Sequence, residues 1–217
     1  MFRPGRDKGI ATPIPLGLAA LGVTTFVMGI SLIAQPVGAW GPYFTNAMMI
    51  GGLAEFLAGM WAFAYGDPLA ATVFSFLGAF YGWWSINGLM LHGAALDLSS
   101  MALVLIVCGV VALYLWVASV NETAVFNLVL LFLWIGYILM GISLASEVRT
   151  IAVIGGISAI ISGLIASYGA FAELYNAASL EEVVPLGEPK LIRERSEHEE
   201  HERLRRNAVV NHQEMHA

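Results

Sequence analysis

The sequence predicts an all-α integral membrane protein, a bundle of six transmembrane helices with both termini in the cytoplasm. The first observation is composition: hydrophobic residues make up 58% of the 217 residues. Charged residues make up only 12%, against about a quarter in an ordinary soluble domain. The second is the presence of six long apolar runs, and the third is that most of the charges lie at the two ends of the chain.

The six apolar runs set the predicted domain organisation. A membrane-spanning helix needs about 20 mainly apolar residues, and the runs that reach this length are 14–34, 43–65, 69–91, 98–119, 125–146 and 151–172. Short breaks separate them, so successive helices should be antiparallel neighbours. We therefore predict a cytoplasmic N-terminal segment over 1–12, a transmembrane domain over 13–176 and a charged cytoplasmic tail over 177–217.

The predicted orientation rests on Lys and Arg. Arg3, Arg6 and Lys8 precede the first run, six of the ten basic residues follow Glu188, and Arg149 is the only other one. The positive-inside rule then places both ends in the cytoplasm, which an even number of helices permits. The plasma (inner) membrane is the expected location.

Several classes of function lack support in the sequence. The basic residues of the tail alternate with acidic ones, which is typical of a solvated tail and not of a nucleic-acid-binding surface. The single cysteine cannot form a disulfide framework. No nucleophile–base pair, metal-ligand spacing or phosphate loop is present, so we expect no enzyme activity, metal or cofactor.

Small residues recur at helical spacing on three of the runs, as is typical of helix–helix interfaces in membranes. The predicted faces are Gly51, Gly52, Glu55, Ala58, Gly59 and Ala62 on the second run; Thr72, Ser75, Ala79 and Gly82 on the third; and Ala152, Gly155, Ala159, Gly163, Ala166 and Ala170 on the sixth.

Glu55 is the most informative residue of the sequence. It lies near the middle of the second run, where an acidic side chain costs about 2.5–3.5 kcal/mol on insertion scales. Its position on the small-residue face directs it into the protein, and the cost falls if the carboxyl stays protonated. Two interpretations remain open: a neutral glutamic acid hydrogen-bonded across an interface, or a proton-accepting group that lines a pathway.

Other polar side chains at membrane depth are weaker pathway candidates. Asn46 and Asn87 carry amides that need partners when buried, whereas a serine such as Ser75 can bond its own helix. No Lys or Arg lies inside the runs. An anionic substrate would therefore cross in its protonated form or rely on amides, hydroxyls and helix N-termini.

Several short motifs resemble one family in order along the chain. Thr12-Pro13-Ile14-Pro15-Leu16-Gly17-Leu18 is similar to the Asn-Pro-Ala-Pro-Leu-Gly-Leu signature of the acetate uptake transporters, also called succinate–acetate permeases. Further similar stretches are 51–54, 58–61, 72–80 and 168–176, and Val184-Pro185-Leu186-Gly187 resembles the closing Leu-Pro-Leu-Gly of that family.

This resemblance implies a six-helix protomer, assembled as a homo-oligomer (a hexamer), that carries acetate and related small carboxylates by a proton-coupled or channel-like route. Substrate would enter past Pro13 and Pro15, and the hydrophobic constriction of the family would be formed by Leu21, Leu77 and Leu133. The family has Phe and Tyr at the first two of these positions and Gln in place of Glu55. These departures bear on the choice of substrate more than on the fold.

Two alternatives belong to other functional classes. One is a pore for a small neutral solute such as urea, ammonia or a small alcohol, which suits a pathway without fixed positive charge. The other is a non-transporting sensor or scaffold whose charged tail binds a partner. The sequence does not decide the substrate, the direction of transport, the choice between channel and proton symporter, or the role of the tail.

Overall fold

The computed structural model describes residues 9–34, 45–90, 98–179 and 183–187. These form six long helices: α1 Ile14–Ala34, α2 Ala47–Tyr65, α3 Pro68–Met90, α4 Leu98–Ala118, α5 Ala124–Ser146 and α6 Arg149–Ser179. Each contains a segment long and apolar enough to cross a membrane. The prediction of six transmembrane helices is confirmed. The predicted tail from Glu188 onward lies outside the described residues.

The breaks between the helices that the structure describes have clear local causes. Gly66 ends α2 with a left-handed backbone (φ 93°), and the Asp67 carboxylate accepts a hydrogen bond from the Ala70 N–H at 2.9 Å at the start of α3. Thr123 caps α5 in the same way, and Glu147 ends it with φ 58°. The predicted breaks near 35–42 and 92–97 lie outside the described residues.

The helices close into a ring in sequence order. α1 packs along α6 and against α2, α2 packs on α3, α4 on α5, and α5 on α6. The predicted contact between successive helices is weak only at α3 and α4, which touch at few positions. One continuous cluster of buried apolar side chains takes members from all six helices and fills the centre of the ring.

Small residues set how closely α1 and α6 approach each other. A Cβ atom at Gly163 of α6 would lie 2.7 Å from the backbone nitrogen of Phe26 in α1, and one at Gly29 would lie 2.5 Å from the Gly156 carbonyl oxygen. Only glycine permits contacts this close. The predicted small-residue faces of α2 and α6 are buried throughout, as expected.

The predicted small-residue face of α3 is correct in part. Gly82 lies against Gly52 of α2, and Ser75 lies against Gly59, whereas Thr72 and Ala79 are exposed. Gly78 also meets α2, at the backbone of Phe56. The predicted stripe therefore combined inward-facing and outward-facing positions of the helix.

Residues 183–187, termed the closing segment, are held against α5 and α6. The Asn176 side chain accepts hydrogen bonds from the Val183 and Val184 N–H groups at 2.9 and 2.8 Å and donates one to the Val184 carbonyl at 2.8 Å. The Leu186 and Gly187 carbonyls accept from the first two N–H groups of α5, which are unpaired within any helix. The segment therefore caps α5, and α6 extends to Ser179, past the predicted limits at 172 and 176.

Arg149, the one basic residue between the ends of the chain, has a structural partner. Its guanidinium donates hydrogen bonds to the Leu32 carbonyl at 2.7 Å and to the Ile33 carbonyl. These are among the last carbonyls of α1, which lack partners within the helix. Arg149 thus joins the start of α6 to the end of α1.

Candidate functional site

The three leucines predicted to form a constriction lie at the centre of the bundle. Leu21, Leu77 and Leu133 come from α1, α3 and α5 and are 0%, 0% and 1% exposed. All three belong to the central apolar cluster. We refer to them as the three-leucine layer.

Contacts on either side fix the depth of this layer. On one side, the rings of Phe74 and Phe126 lie 6.2 Å apart between centroids. On the other, the Tyr137 hydroxyl donates to the Tyr81 hydroxyl at 2.8 Å. Because α3 and α5 run in the same direction, Leu77 and Leu133 lie at one depth between these two contacts. Gly17 of α1 faces the ring of Phe74, which places Leu21 at the same depth one turn later.

Tyr81 and Tyr137 are central residues that the sequence reasoning missed. Both are fully buried, and each follows a leucine of the layer by four residues, hence one helical turn. That shared offset from Leu77 and Leu133 was the available signal. The two tyrosines place a hydrogen-bonded hydroxyl pair directly beside an apolar layer.

Glu55 lies at the depth of the three-leucine layer. It is fully buried, and neither carboxyl oxygen has a hydrogen-bond partner among the described residues. Gly51, one turn earlier on α2, lies against the ring of Tyr81, and Gly78 of α3 lies against Phe56. These contacts put Glu55 level with 77–81 of α3. The prediction that Glu55 faces into the protein is correct.

A π-helical stretch leads into Glu55. Residues Ala47–Ala54 form a π-helix of eight residues, and the Glu55 N–H bonds back to the Ile50 and Gly52 carbonyls. π-Helical turns are rare and are found frequently at functional sites. The wider turn rotates the residues on either side of it relative to a regular helix. This feature was not predicted from the sequence.

The other predicted pathway residues fall into two groups. The Asn46 side-chain oxygen and the Ser75 hydroxyl are buried without a partner among the described residues. Asn87 is half-buried, and its amide donates to the Trp83 carbonyl of its own helix at 2.7 Å. At this half-buried position the Asn87 amide is satisfied within its own helix, and its place on the pathway stays a prediction.

The two signature prolines lie at the beginning of α1. Pro13 and Pro15 are buried, and the Pro13 carbonyl accepts from the Gly17 N–H at 3.0 Å. Thr12 caps this end, since its hydroxyl accepts from the Ile14 N–H at 3.4 Å. The signature thus starts α1 and positions Gly17 against Phe74.

The chain matches a known protein family over most of its length. The family model described as the GPR1/FUN34/yaaH family matches residues 2–186. The chain belongs to this family. The match includes the closing segment as far as Leu186 and leaves out the charged tail, and it confirms the family predicted from the opening signature.

Curated relatives support the assignment. Acetate permease A of Emericella nidulans is 30% identical over 159 residues, which is 65% of this chain and 53% of that protein. This chain therefore spans about half the length of that relative. The succinate-acetate/proton symporter SatP of Escherichia coli K12 is 24% identical over 184 residues, covering 82% of this chain and 96% of the relative.

A solved structure shares the fold. The bacterial acetate channel SatP superposes with a TM-score of 0.77 at 24% identity, covering 82% of this chain and 99% of that chain. Together with six helices that can cross a membrane, this shows that the protein is an integral membrane protein of the SatP fold.

Proposed function

We propose that this protein transports acetate and related small carboxylates across the membrane, with proton coupling through Glu55. Its family relatives include an acetate permease and a succinate-acetate/proton symporter. The observation that carries the proposal is the Glu55 carboxyl, buried without a partner at the depth of the three-leucine layer. A carboxyl in such a position can bind and release one proton, whereas the surrounding leucines cannot.

The three-leucine layer is proposed as the constriction. A dry apolar passage disfavours an unpaired carboxylate more strongly than the neutral acid, so the layer would admit the substrate together with a proton. No Lys or Arg side chain lies inside the spans, and Arg149 is engaged with the carbonyls of α1. The pathway therefore has no fixed positive charge that would hold the anion.

The assembly and orientation follow from other features. The family resemblance supports a homo-oligomer, a hexamer with one pathway in each protomer. The distribution of Lys and Arg supports cytoplasmic ends in the plasma (inner) membrane. Pro13 and Pro15 would then lie at the cytoplasmic entrance.

Uptake of labelled acetate into liposomes that contain the purified protein tests the proposal. Wild type and Glu55→Gln would be compared with and without an inward proton gradient, with Glu147→Gln as the control because Glu147 is an exposed acid at the end of α5. We expect the gradient to stimulate uptake in the wild type and in Glu147→Gln. Glu55→Gln should lose that stimulation, because an amide forms hydrogen bonds but releases no proton.

The outcomes separate the alternatives. Equal stimulation in Glu55→Gln would return Glu55 to a structural role and favour a channel. Absence of wild-type acetate flux, with flux of urea, ammonia or a small alcohol, would replace the carboxylate proposal with the neutral-solute pore.

In the same assay, Leu77→Tyr should change the selectivity among short acids, and unchanged uptake of all of them would remove the three-leucine layer from the mechanism.

A further inference from the structure

The unpartnered oxygens of the bundle are concentrated along one helix. Among the described residues, the buried side-chain oxygens without a hydrogen-bond partner belong to Asn46, Thr24, Glu55 and Ser75. Asn46 and Glu55 flank or lie on α2, and the other two pack against it. We call these four residues the polar seam. Buried polar atoms almost always have partners, so their clustering on α2 requires an explanation.

The order of the polar seam follows from glycine contacts. Thr24 of α1 lies against Gly51, where a Cβ would come within 2.9 Å of its hydroxyl oxygen, and Ser75 of α3 lies against Gly59. Glu55 is midway between these two glycines in sequence. Thr24 and Ser75 are therefore separated by about 10–12 Å along α2, with the Glu55 carboxyl between them.

Neighbouring hydroxyls do not share this property. Thr25, adjacent to Thr24 and equally buried, donates to the Leu21 carbonyl of its own helix at 2.7 Å. Ser85 of α3, also fully buried, donates to the Tyr81 carbonyl at 2.7 Å. A helix can thus satisfy a buried hydroxyl in this bundle, and the hydroxyls of the polar seam are the ones it leaves without a partner.

Glycines of α2 lie against Thr24 and Ser75 of the polar seam, and the three-leucine layer lies at the depth of Glu55. A short carboxylic acid has a matching division into a hydrogen-bonding head and an alkyl end. A carboxyl head can exchange hydrogen bonds with hydroxyl, amide and carboxyl groups in turn, and a protonated Glu55 can share its proton with a substrate carboxylate.

We propose that the carboxyl group of the substrate moves along the polar seam, from Ser75 past Glu55 to Thr24 and Asn46 or in reverse, while its alkyl end faces the three-leucine layer. This inference rests on the proposed function and specifies the route of the carboxyl group. Thr24, absent from the sequence-based candidates for the pathway, becomes a substrate-contacting residue. Asn46 and Glu55 flank the π-helical stretch of α2 on its two ends.

Matched pairs of substitutions test the route in proteoliposomes with labelled acetate. Thr24→Val and Ser75→Ala remove hydroxyls of the polar seam, whereas Thr25→Val and Ser85→Ala remove the satisfied ones. We expect the first pair to raise KM for acetate about 3- to 10-fold, the loss of one hydrogen bond, and the second pair to leave it within about 2-fold. Thr24→Ser, which keeps the hydroxyl, should retain wild-type uptake.

The melting temperature distinguishes a substrate-contacting hydroxyl from a structural one. Removing an unpartnered buried hydroxyl does not lower stability, so Thr24→Val should keep the wild-type melting temperature in detergent while its KM rises. A KM unchanged in both Thr24→Val and Ser75→Ala would overturn the inference. Equal KM changes in Thr25→Val and Ser85→Ala, or a melting temperature that falls together with uptake, would overturn it as well.

The result also separates this inference from the proposed function. If the wild type takes up acetate and the variants of the polar seam have an unchanged KM, the route is removed and the proposed function stays in place. Absence of wild-type acetate uptake removes both, since the route is assigned to a carboxyl group.

Discussion

The α1–α6 side and the α2–α3 side of the bundle are both packed through small residues, but they differ in whether their buried polar groups have hydrogen-bond partners. Both rely on glycines that bring helix backbones close together. On α6, however, buried hydroxyls have partners on α5: Ser158 donates to the Phe132 carbonyl at 2.7 Å and Ser162 to the Val129 carbonyl at 2.9 Å. Around α2, the oxygens of the polar seam have none among the described residues.

This difference shows that glycine patterns alone do not distinguish packing from a pathway. A buried polar group with a partner adds to the stability of the fold, whereas one without a partner costs free energy that is recovered only when water or substrate supplies the hydrogen bond. The α6 side of the ring therefore has the character of a support. The α2 side carries the unpartnered oxygens that the proposed route uses.

The largest expected effect is at the support. Gly163→Ala places a Cβ 2.7 Å from the Phe26 nitrogen and 2.8 Å from the Gly22 carbonyl oxygen, and backbone atoms cannot move aside as a side chain can. We expect a loss of about 2–3 kcal/mol of stability, the upper part of the range for overpacking. Thermal unfolding in detergent would measure it as a lower apparent melting temperature.

Gly82→Ala is the matched control on α3. A Cβ at Gly82 meets no atom of the described residues within 4 Å, and alanine favours a helix over glycine by about 1 kcal/mol. Its melting temperature should stay level or rise. A larger loss in Gly82→Ala than in Gly163→Ala would mean that the α2 and α3 side, not the α1 and α6 side, is the support of the bundle.

A smaller effect is expected at the closing segment. Asn176→Ala removes all three hydrogen bonds that hold Val183 and Val184, so we expect a loss of about 1–2 kcal/mol. Asn87→Ala is the control, because the Asn87 amide bonds only to its own helix in the described structure. Limited proteolysis after residue 179 should accelerate in Asn176→Ala and not in Asn87→Ala. Equal cleavage rates in the two variants would show that Asn176 does not hold the segment.

The parts of this molecule that follow from local chemistry were predictable from the sequence. Apolar length gave the six helices, Gly66 and Asp67 gave the break before α3, and an acid among glycines gave an inward-facing Glu55. Each of these depends on the chain within a few residues of the feature.

The features that were missed depend on contacts between distant parts of the chain. The bond between Tyr81 and Tyr137 joins two helices, and a tyrosine within an apolar run reads equally well as a residue facing lipid. Whether a hydroxyl is satisfied, as in Thr25, or left without a partner, as in Thr24, depends on rotamer and neighbours. The π-helix before Glu55 lies where α2 packs against both α1 and α3, helices that the local sequence of α2 does not reveal.

The smallest expected effect is the pH dependence of stability that comes from Glu122, an acid in the loop before α5 and outside the proposed pathway. The pKa of the Glu122 carboxyl is raised from its ordinary value of 4.5, first because partial burial disfavours the charged form and second because the Asp67 carboxylate is nearby. The folded protein therefore holds this proton more tightly than the unfolded chain. The stabilisation is complete below pH 4.5 and is lost as the pH rises through the raised pKa.

Glu122→Gln should abolish this pH dependence. The melting temperatures of variant and wild type should agree at about pH 4, and the variant should gain relative to wild type as the pH approaches about 7. A difference that shrinks with rising pH would contradict the assignment. The gradient-stimulated uptake of acetate should be the same in Glu122→Gln and wild type, because the proposed function gives the transported proton to Glu55 on α2 and not to the loops.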